Sequence, residues 1–397
     1  MSDELSALFR RHVCQTSHGP MGLVVARASG ATVWDDQGRA WLDLLAGMGV
    51  ANVGHAHPEV VAAARAQMER YLHVMVYGEF VQEPQVRLAA RLATLLPPSL
   101  SVTYFTSSGA EAIDGALKTA RKHTGRPAFV AFEGGFHGDT WGALSIGGNP
   151  VYRVPFEPLL PEIRLLPFDD VAALAAIDER VAAVVIEPVQ AEGGVRIPTA
   201  AFLGALRRRC DETGALLVFD EVVTAFGRTG RLFGFEHWNV VPDLLVLAKA
   251  LGGGFPLGAF VGRPEVMATL AHDPPLAHVT TFGGHPVSCA AGLAALDVLV
   301  RDDLAGRARR LGDTFVERLR AFAGRGGVRA VRGLGMLIGI DFDDPAACAA
   351  FARRAWEARL ILNWTLHRDT VVRLAPPLVL TDAEAEQAVT TIARCLA

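Results

Sequence analysis

Lysine is nearly missing from this chain. There are three lysines beside thirty-five arginines among 397 residues. Cysteine is also sparse: Cys14, Cys210, Cys289, Cys348 and Cys395 are scattered, odd in number and without Cys-x-x-Cys spacing. That excludes a disulfide scaffold and fits reduced thiols in a cytoplasm. No uninterrupted apolar stretch approaches the ~18 residues that a membrane helix needs. The opening Met-Ser-Asp-Glu-Leu lacks the basic segment and apolar core of a secretory signal. Neither charge sign dominates: 38 basic against 42 acidic residues leave a net charge of -4. That gives no electrostatic case for nucleic acid or a membrane surface as partner. Internal repeats and low-complexity tracts are absent too.

What remains is long enough for a full core and two lobes. Within it, Lys118 and Lys122 are four residues apart, on one face of an expected helix. Lys249 is different. It ends the apolar run Asp243-Leu-Leu-Val-Leu-Ala and precedes Gly252-Gly-Gly254. An ammonium at the end of a buried strand is poorly solvated, so its pKa falls and its neutral amine becomes a nucleophile. A capping or ion-paired lysine is the ordinary alternative, and the rest of the chain has to decide.

Residues 1–30 read as a polar lead-in. Thr32-Val-Trp-Asp-Asp-Gln-Gly-Arg-Ala-Trp-Leu-Asp43 predicts a hairpin. His55 and His57 lie in a loop with no third metal ligand nearby, which favours hydrogen-bonded turn histidines. From residue 84 to residue 249 strands and helices alternate. The strand-like runs are 102–106, 128–132, 181–186, 215–219 and 244–248. This predicts an α/β fold whose mostly parallel sheet is covered by helices on both faces. After residue 286 longer helices and a few strands predict a smaller α+β domain that packs with the N-terminal hairpin. The expected division is 1–60 with the small domain, 61–287 as the large domain, and 288–397 as the rest of the small domain.

Five motifs follow the carboxyl ends of expected strands: Ser107-Ser-Gly-Ala110, Phe136-His-Gly138, Glu187-Pro-Val-Gln190, Asp220-Glu-Val222 and Lys249. In an open parallel sheet, ligands bind at that edge. Ser108, Gly109 and Ala110 open a helix, whose free amides favour a phosphate. Neither this turn nor Gly252-Gly-Gly-Phe-Pro-Leu-Gly258 has nucleotide-loop spacing. Asp220 ends an apolar run, where a carboxylate needs a partner. A structural arginine would serve, and so would a protonated pyridine nitrogen. A nucleophilic lysine, a phosphate cradle and such an aspartate together describe a pyridoxal 5'-phosphate site.

These stretches resemble the class III aminotransferases of the fold-type I pyridoxal-phosphate enzymes. The resemblance runs through Leu42-Asp-Leu-Leu-Ala-Gly47, Gly54-His-Ala-His-Pro58, Phe105-Thr-Ser-Ser-Gly-Ala-Glu-Ala112 and Gly135-Phe-His-Gly138. It continues through Ile186-Glu-Pro-Val-Gln190, Phe219-Asp-Glu-Val-Val-Thr-Ala-Phe-Gly-Arg-Thr-Gly230, Leu247-Ala-Lys-Ala-Leu-Gly-Gly-Gly254 and Thr280-Thr-Phe-Gly-Gly284. It implies a large domain with a seven-stranded-type sheet and a ping-pong transfer from an amino donor to a keto acid such as 2-oxoglutarate or pyruvate. It implies Lys249 as the Schiff-base lysine and proton shuttle, and Asp220 on the pyridine nitrogen. Ser108, Gly109 and Ala110 would hold the phosphate. Phe136, His137 and Val222 would surround the ring, with Glu187 and Gln190 also at the cofactor. Thr281 would reach the cofactor phosphate of a neighbouring subunit, with Thr280 beside it at the substrate. A homodimer with shared sites follows.

For the substrate, the resemblance pairs Glu192 with Arg373, which an incoming carboxylate would free. Tyr77 is expected at the pocket wall. Asp139 stands where acetylornithine- and ornithine-type enzymes carry an arginine, and Val223 where they tend to carry glutamine. Both departures argue against an N-acetylornithine substrate. Asp139 suits either a contact to an amino-bearing donor or a turn. Same-fold racemases and decarboxylases are the enzyme alternatives. A silent cofactor-binding scaffold is the other, disfavoured by the intact Lys249, Asp220 and Thr281.

Overall fold

A computed structural model describes residues 2–75 and 78–396. Seven strands form the central sheet, in the order Val102–Thr106, Gly258–Gly262, Leu244–Leu247, Leu216–Asp220, Val181–Ile186, Ala128–Phe132 and Ile163–Leu166. All but one point the same way. Gly258–Gly262 runs antiparallel to both of its neighbours. Its glycine-bounded Gly-Ala-Phe-Val-Gly run gives little periodicity, and it is an addition to the expected strands, as is Ile163–Leu166.

The side-chain period of two explains why the central strands are apolar throughout. Val184, Ile186, Leu217, Phe219, Leu245 and Leu247 enter one core, against Phe202, Leu203 and Leu206 of the helix Ala200–Thr213. Their alternate neighbours Ala183, Val185, Val218, Leu244 and Val246 enter a second core. That core is closed by Ala112, Ile113 and Ala116 of the helix Gly109–Thr124.

Past residue 301 the chain builds a separate antiparallel sheet, in the order Val328–Leu334, Leu337–Phe342, Arg368–Leu374 and Asn363–Thr365. The helices Leu304–Arg320 and Pro345–Glu357 pack on it, and Asp382–Leu396 packs on those two helices. The expected hairpin forms from Thr32–Asp35 and Ala40–Asp43. Leu360–Ile361 pairs with the hairpin in parallel, so the two chain ends share a sheet. The helix Pro286–Arg301 crosses the expected boundary at residue 287 and packs on the helices Pro58–Arg70 and Glu83–Leu95.

The reading of residues 1–30 as a polar lead-in is corrected. They contain a helix, Ser2–His12, and a strand, Val25–Ser29. Leu5, Leu8 and Phe9 make a short helical stripe that its charged neighbours hide in composition.

One buried cation ties the lobes together. Arg228 is fully buried. Its guanidinium donates to the carbonyls of Met336 at 3.0 Å and Pro376 at 2.6 Å, and to Asn52 Oδ1 at 2.5 Å. Burial, with the nearby charge of Arg373, pushes its pKa down to about 9.

Candidate active site

The carboxyl edge of the central sheet opens on a cavity of about 400 Å³. Five strand ends supply its chemistry, as the motif spacing predicts.

The helix Gly109–Thr124 begins on the cavity. Ser108 caps it, accepting from the Glu111 amide at 3.2 Å, and Glu111 Oε2 accepts from the Ser107 amide at 2.7 Å. The Gly109 and Ala110 amides have no partner among the described residues. A Cβ on Gly109 would lie 3.0 Å from Val222 Cγ2, so glycine keeps this helix start close to the opposite wall.

Asp220 ends its strand with the carboxylate 4% exposed. One oxygen accepts from the Val222 amide at 3.0 Å, and the other lies 2.7 Å from His137 Nδ1. Burial opposes a charged His137, yet the bond to Asp220, with the charges of Asp220 and Glu187, holds its pKa above the ordinary range. Glu187 accepts from the amides of Phe136 at 2.9 Å and Ala191 at 3.0 Å. Burial, aided by the Asp220 charge, pushes its pKa up to about 7.

Lys249 starts a single turn, Lys249–Gly252, with φ at +49°. A left-handed lysine is strained, and such strain collects at functional sites. The amine makes no hydrogen bond or ion pair among the described residues and lines the cavity. Burial lowers its pKa, and the Arg373 charge adds to this against the pull of Glu192, Asp220 and Glu187.

Glu192 and Arg373 form a buried ion pair. Arg373 holds the Glu192 carboxyl below its ordinary range, outweighing the effect of burial. Glu192 lines the cavity and Arg373 sits behind it.

Ten of the expected residues therefore meet on one cavity: Ser108, Gly109, Ala110, Phe136, His137, Glu187, Glu192, Asp220, Val222 and Lys249. Others do not. Gln190 turns away, donating to the Glu133 carbonyl at 2.9 Å and accepting from Arg196 at 3.2 Å. Asp139 is exposed and off the cavity. Thr281 is exposed, Thr280 is half-buried, and neither lines the cavity within this chain. Tyr77 lies outside the described residues. His55 lies 2.7 Å from Asp43, in the role expected of a turn histidine. Sequence reasoning missed Val50 and the wall Gly254-Phe-Pro-Leu257. The run Gly252-Gly-Gly254 just after Lys249 is the available sequence signal for this wall.

Glu221, next to Asp220, faces away from the cavity. It is fully buried and accepts from the amide of Phe235 at 2.7 Å and from Thr224 at 2.9 Å. Burial pushes its pKa from 4.5 up to about 7. The folded chain thus binds this proton more tightly than the unfolded chain. Unfolding free energy should fall as pH rises from 4.5 to about 7, then level off. One proton gives a slope of about 1.4 kcal/mol per pH unit at most. Denaturant titrations across that window, on wild type and Glu221→Gln, read the slope by difference. Equal slopes in the two proteins would refute the assignment.

Residues 13–396 match the family Aminotransferase class-III. The chain is 42% identical over 395 residues to the acetylornithine aminotransferase of Methanopyrus kandleri, covering 99% of both chains. It is 42% identical over 381 residues to that of Methanosarcina mazei, covering 96% of this chain and 93% of the relative. Its structure is similar to the ornithine aminotransferase from Toxoplasma gondii ME49, with a TM-score of 0.92 and 34% identity over 100% of this chain and 95% of that one. It is also similar to an (S)-enantioselective omega-transaminase from Thermomicrobium roseum, with a TM-score of 0.92 and 31% identity over 100% and 98%.

The chain belongs to the class III aminotransferase family. It is a pyridoxal-phosphate-dependent transaminase acting on an amino donor and a keto acid. The relatives and structures named here are aminotransferases, not racemases, decarboxylases or silent scaffolds. The cavity fits the cofactor on its own chemistry: helix-start amides and an amine without partners among the described residues, a buried carboxylate, and an aromatic side chain, Phe136, in the lining.

Proposed function

We propose that this transaminase moves the terminal amino group of an ornithine-type donor, with the 2-oxoglutarate/glutamate pair serving the other half of the cycle. The carrying observation is the buried Glu192–Arg373 pair beside Lys249. An arginine whose one counter-charge is a displaceable carboxylate receives a substrate carboxylate when Glu192 withdraws. It stays neutralised when an uncharged or cationic substrate end occupies the same place. The names of the relatives support the ornithine-type donor.

When bound, the cofactor supplies an electron sink for the amino transfer. The chain supplies the rest. Lys249 Nζ would hold the cofactor and serve as the acid–base group at the substrate carbon. Asp220, with His137 behind it, would hold the ring nitrogen protonated. Ser108 and the Gly109 and Ala110 amides would take the phosphate. Phe136 and Val222, which line the cavity, would flank the cofactor and exclude water. Glu187 fixes the Phe136 turn through the bond to its amide. The exposed Thr281, with the half-buried Thr280 beside it, fits a role across a homodimer interface, where Val279 and Phe282 are also exposed. The N-terminal segment, with the chain past the helix Pro286–Arg301, makes the smaller domain, because that helix packs on the large lobe. The five free thiols suit the cytoplasm.

The test is a half-reaction followed by the cofactor's absorption, with single donors and no keto acid. Glutamate, ornithine, N-acetylornithine, 4-aminobutyrate, β-alanine, lysine and a simple primary amine make the panel. Glutamate and an ornithine-type donor should convert the cofactor fastest. A carboxylate-free amine that outpaces glutamate would overturn the reading of Arg373.

A further inference from the structure

The Glu192–Arg373 pair has further attachments. One carboxylate oxygen of Glu192 meets Arg373, and the other accepts from the Leu366 amide at 2.7 Å. The next amide, that of His367, donates to the Glu192 carbonyl at 3.1 Å. Both amides lie at the tip of the hairpin between Asn363–Thr365 and Arg368–Leu374.

That tip is gripped from the large lobe. Tyr152 Oη donates to the Leu366 carbonyl at 2.9 Å. Its ring stacks on His367, with centroids 5.2 Å and planes 22° apart. His367 then meets Phe136 edge-on at 5.6 Å. Tyr152 is at the surface, yet a continuous bonded path joins it to the carboxylate beside Lys249. For Glu192 to leave Arg373, it must either break the Leu366 bond or carry the tip with it. Tyr152 resists the second route.

We propose that Tyr152 is a positioning residue for substrate specificity. Through the Leu366–His367 tip it biases Glu192 toward Arg373. It thereby sets how the site divides between carboxylate-ended and neutral-ended substrates. The inference rests on the reading of Arg373 as the carboxylate receiver.

Tyr152→Phe tests it, because phenylalanine keeps the stack and deletes only the hydroxyl. Glu192→Ala and the double variant are measured alongside, all in the cofactor-loaded protein. One readout is the calorimetric Kd of glutarate, an unreactive dicarboxylate. The other is the ratio of kcat/KM for glutamate to that for a simple primary amine. Tyr152→Phe should tighten glutarate about three- to tenfold, as expected of one lost hydrogen bond, and raise the ratio similarly. Glu192→Ala should move both further, and the hydroxyl deletion should add nothing in that background.

A merely structural tyrosine would change the melting temperature or both donors alike and leave the ratio still. If Glu192→Ala moves both readouts and Tyr152→Phe moves neither, the inference fails and the Arg373 reading stands. An undiminished Tyr152→Phe effect in the Glu192→Ala background also overturns it. If neither single variant moves glutarate binding or the ratio, the Arg373 reading fails and takes the inference with it.

Discussion

Lys249→Ala is expected to lower turnover by about 10⁴-fold or more, the upper range for removing a positioned acid–base group. The loss should be near complete because the chain offers no substitute amine. Its two other lysines sit on the exposed face of the helix Gly109–Thr124. Lys118 Nζ donates to the Ala277 carbonyl at 3.3 Å, and Lys122 to that of His272. Folding should survive. Alanine meets the φ of +49° no worse than lysine does, and no hydrogen bond is lost among the described residues. Steady-state assays read the loss, thermal melts read the fold, and absorption reads the lysine-linked cofactor band. Wild-type turnover in a well-folded variant would refute the role of Lys249.

Asp220→Asn should lower kcat by about 10²- to 10³-fold, the scale for removing one preorganised electrostatic partner. It has a second signature that activity alone would miss. Asp220 is the main reason that His137 holds its proton despite burial. Without that carboxylate, burial prevails and the imidazole pKa drops below its ordinary 6.5. The stability that charged His137 lends is complete below 6.5 and is lost as pH rises through its raised folded value. In the variant that contribution disappears. Imidazole NMR titration of the two proteins checks the direction. An unchanged His137 titration would separate Asp220 from the histidine and overturn this account of the pair.

Much of this site is legible in the sequence. Apolar strands ending in a polar residue mark the carboxyl edge of a covered sheet, so Asp220, Glu187 and Lys249 could be placed together from spacing. The Ser108 cap was readable because capping is local. What stayed hidden depends on the third dimension. Nothing in Gln190-Ala-Glu192 says which side chain enters the cavity, and the structure turns Gln190 toward Arg196 and Glu192 inward. The strand Gly258–Gly262 was missed because two glycines and one phenylalanine carry no alternation. Its identity comes from pairing with strands 244–247 and 102–106. The path from Tyr152 to Glu192 runs through backbone groups, which leave no trace in residue type.

The ion pair joins residues 192 and 373, and Arg228 bonds to the carbonyls of Met336 and Pro376. These contacts close loops of more than a hundred residues, among the last to form as a chain is synthesised. In order of synthesis Asp220 and Lys249 come more than a hundred residues before Arg373. The residue proposed to select the substrate is therefore the last of the site to leave the ribosome.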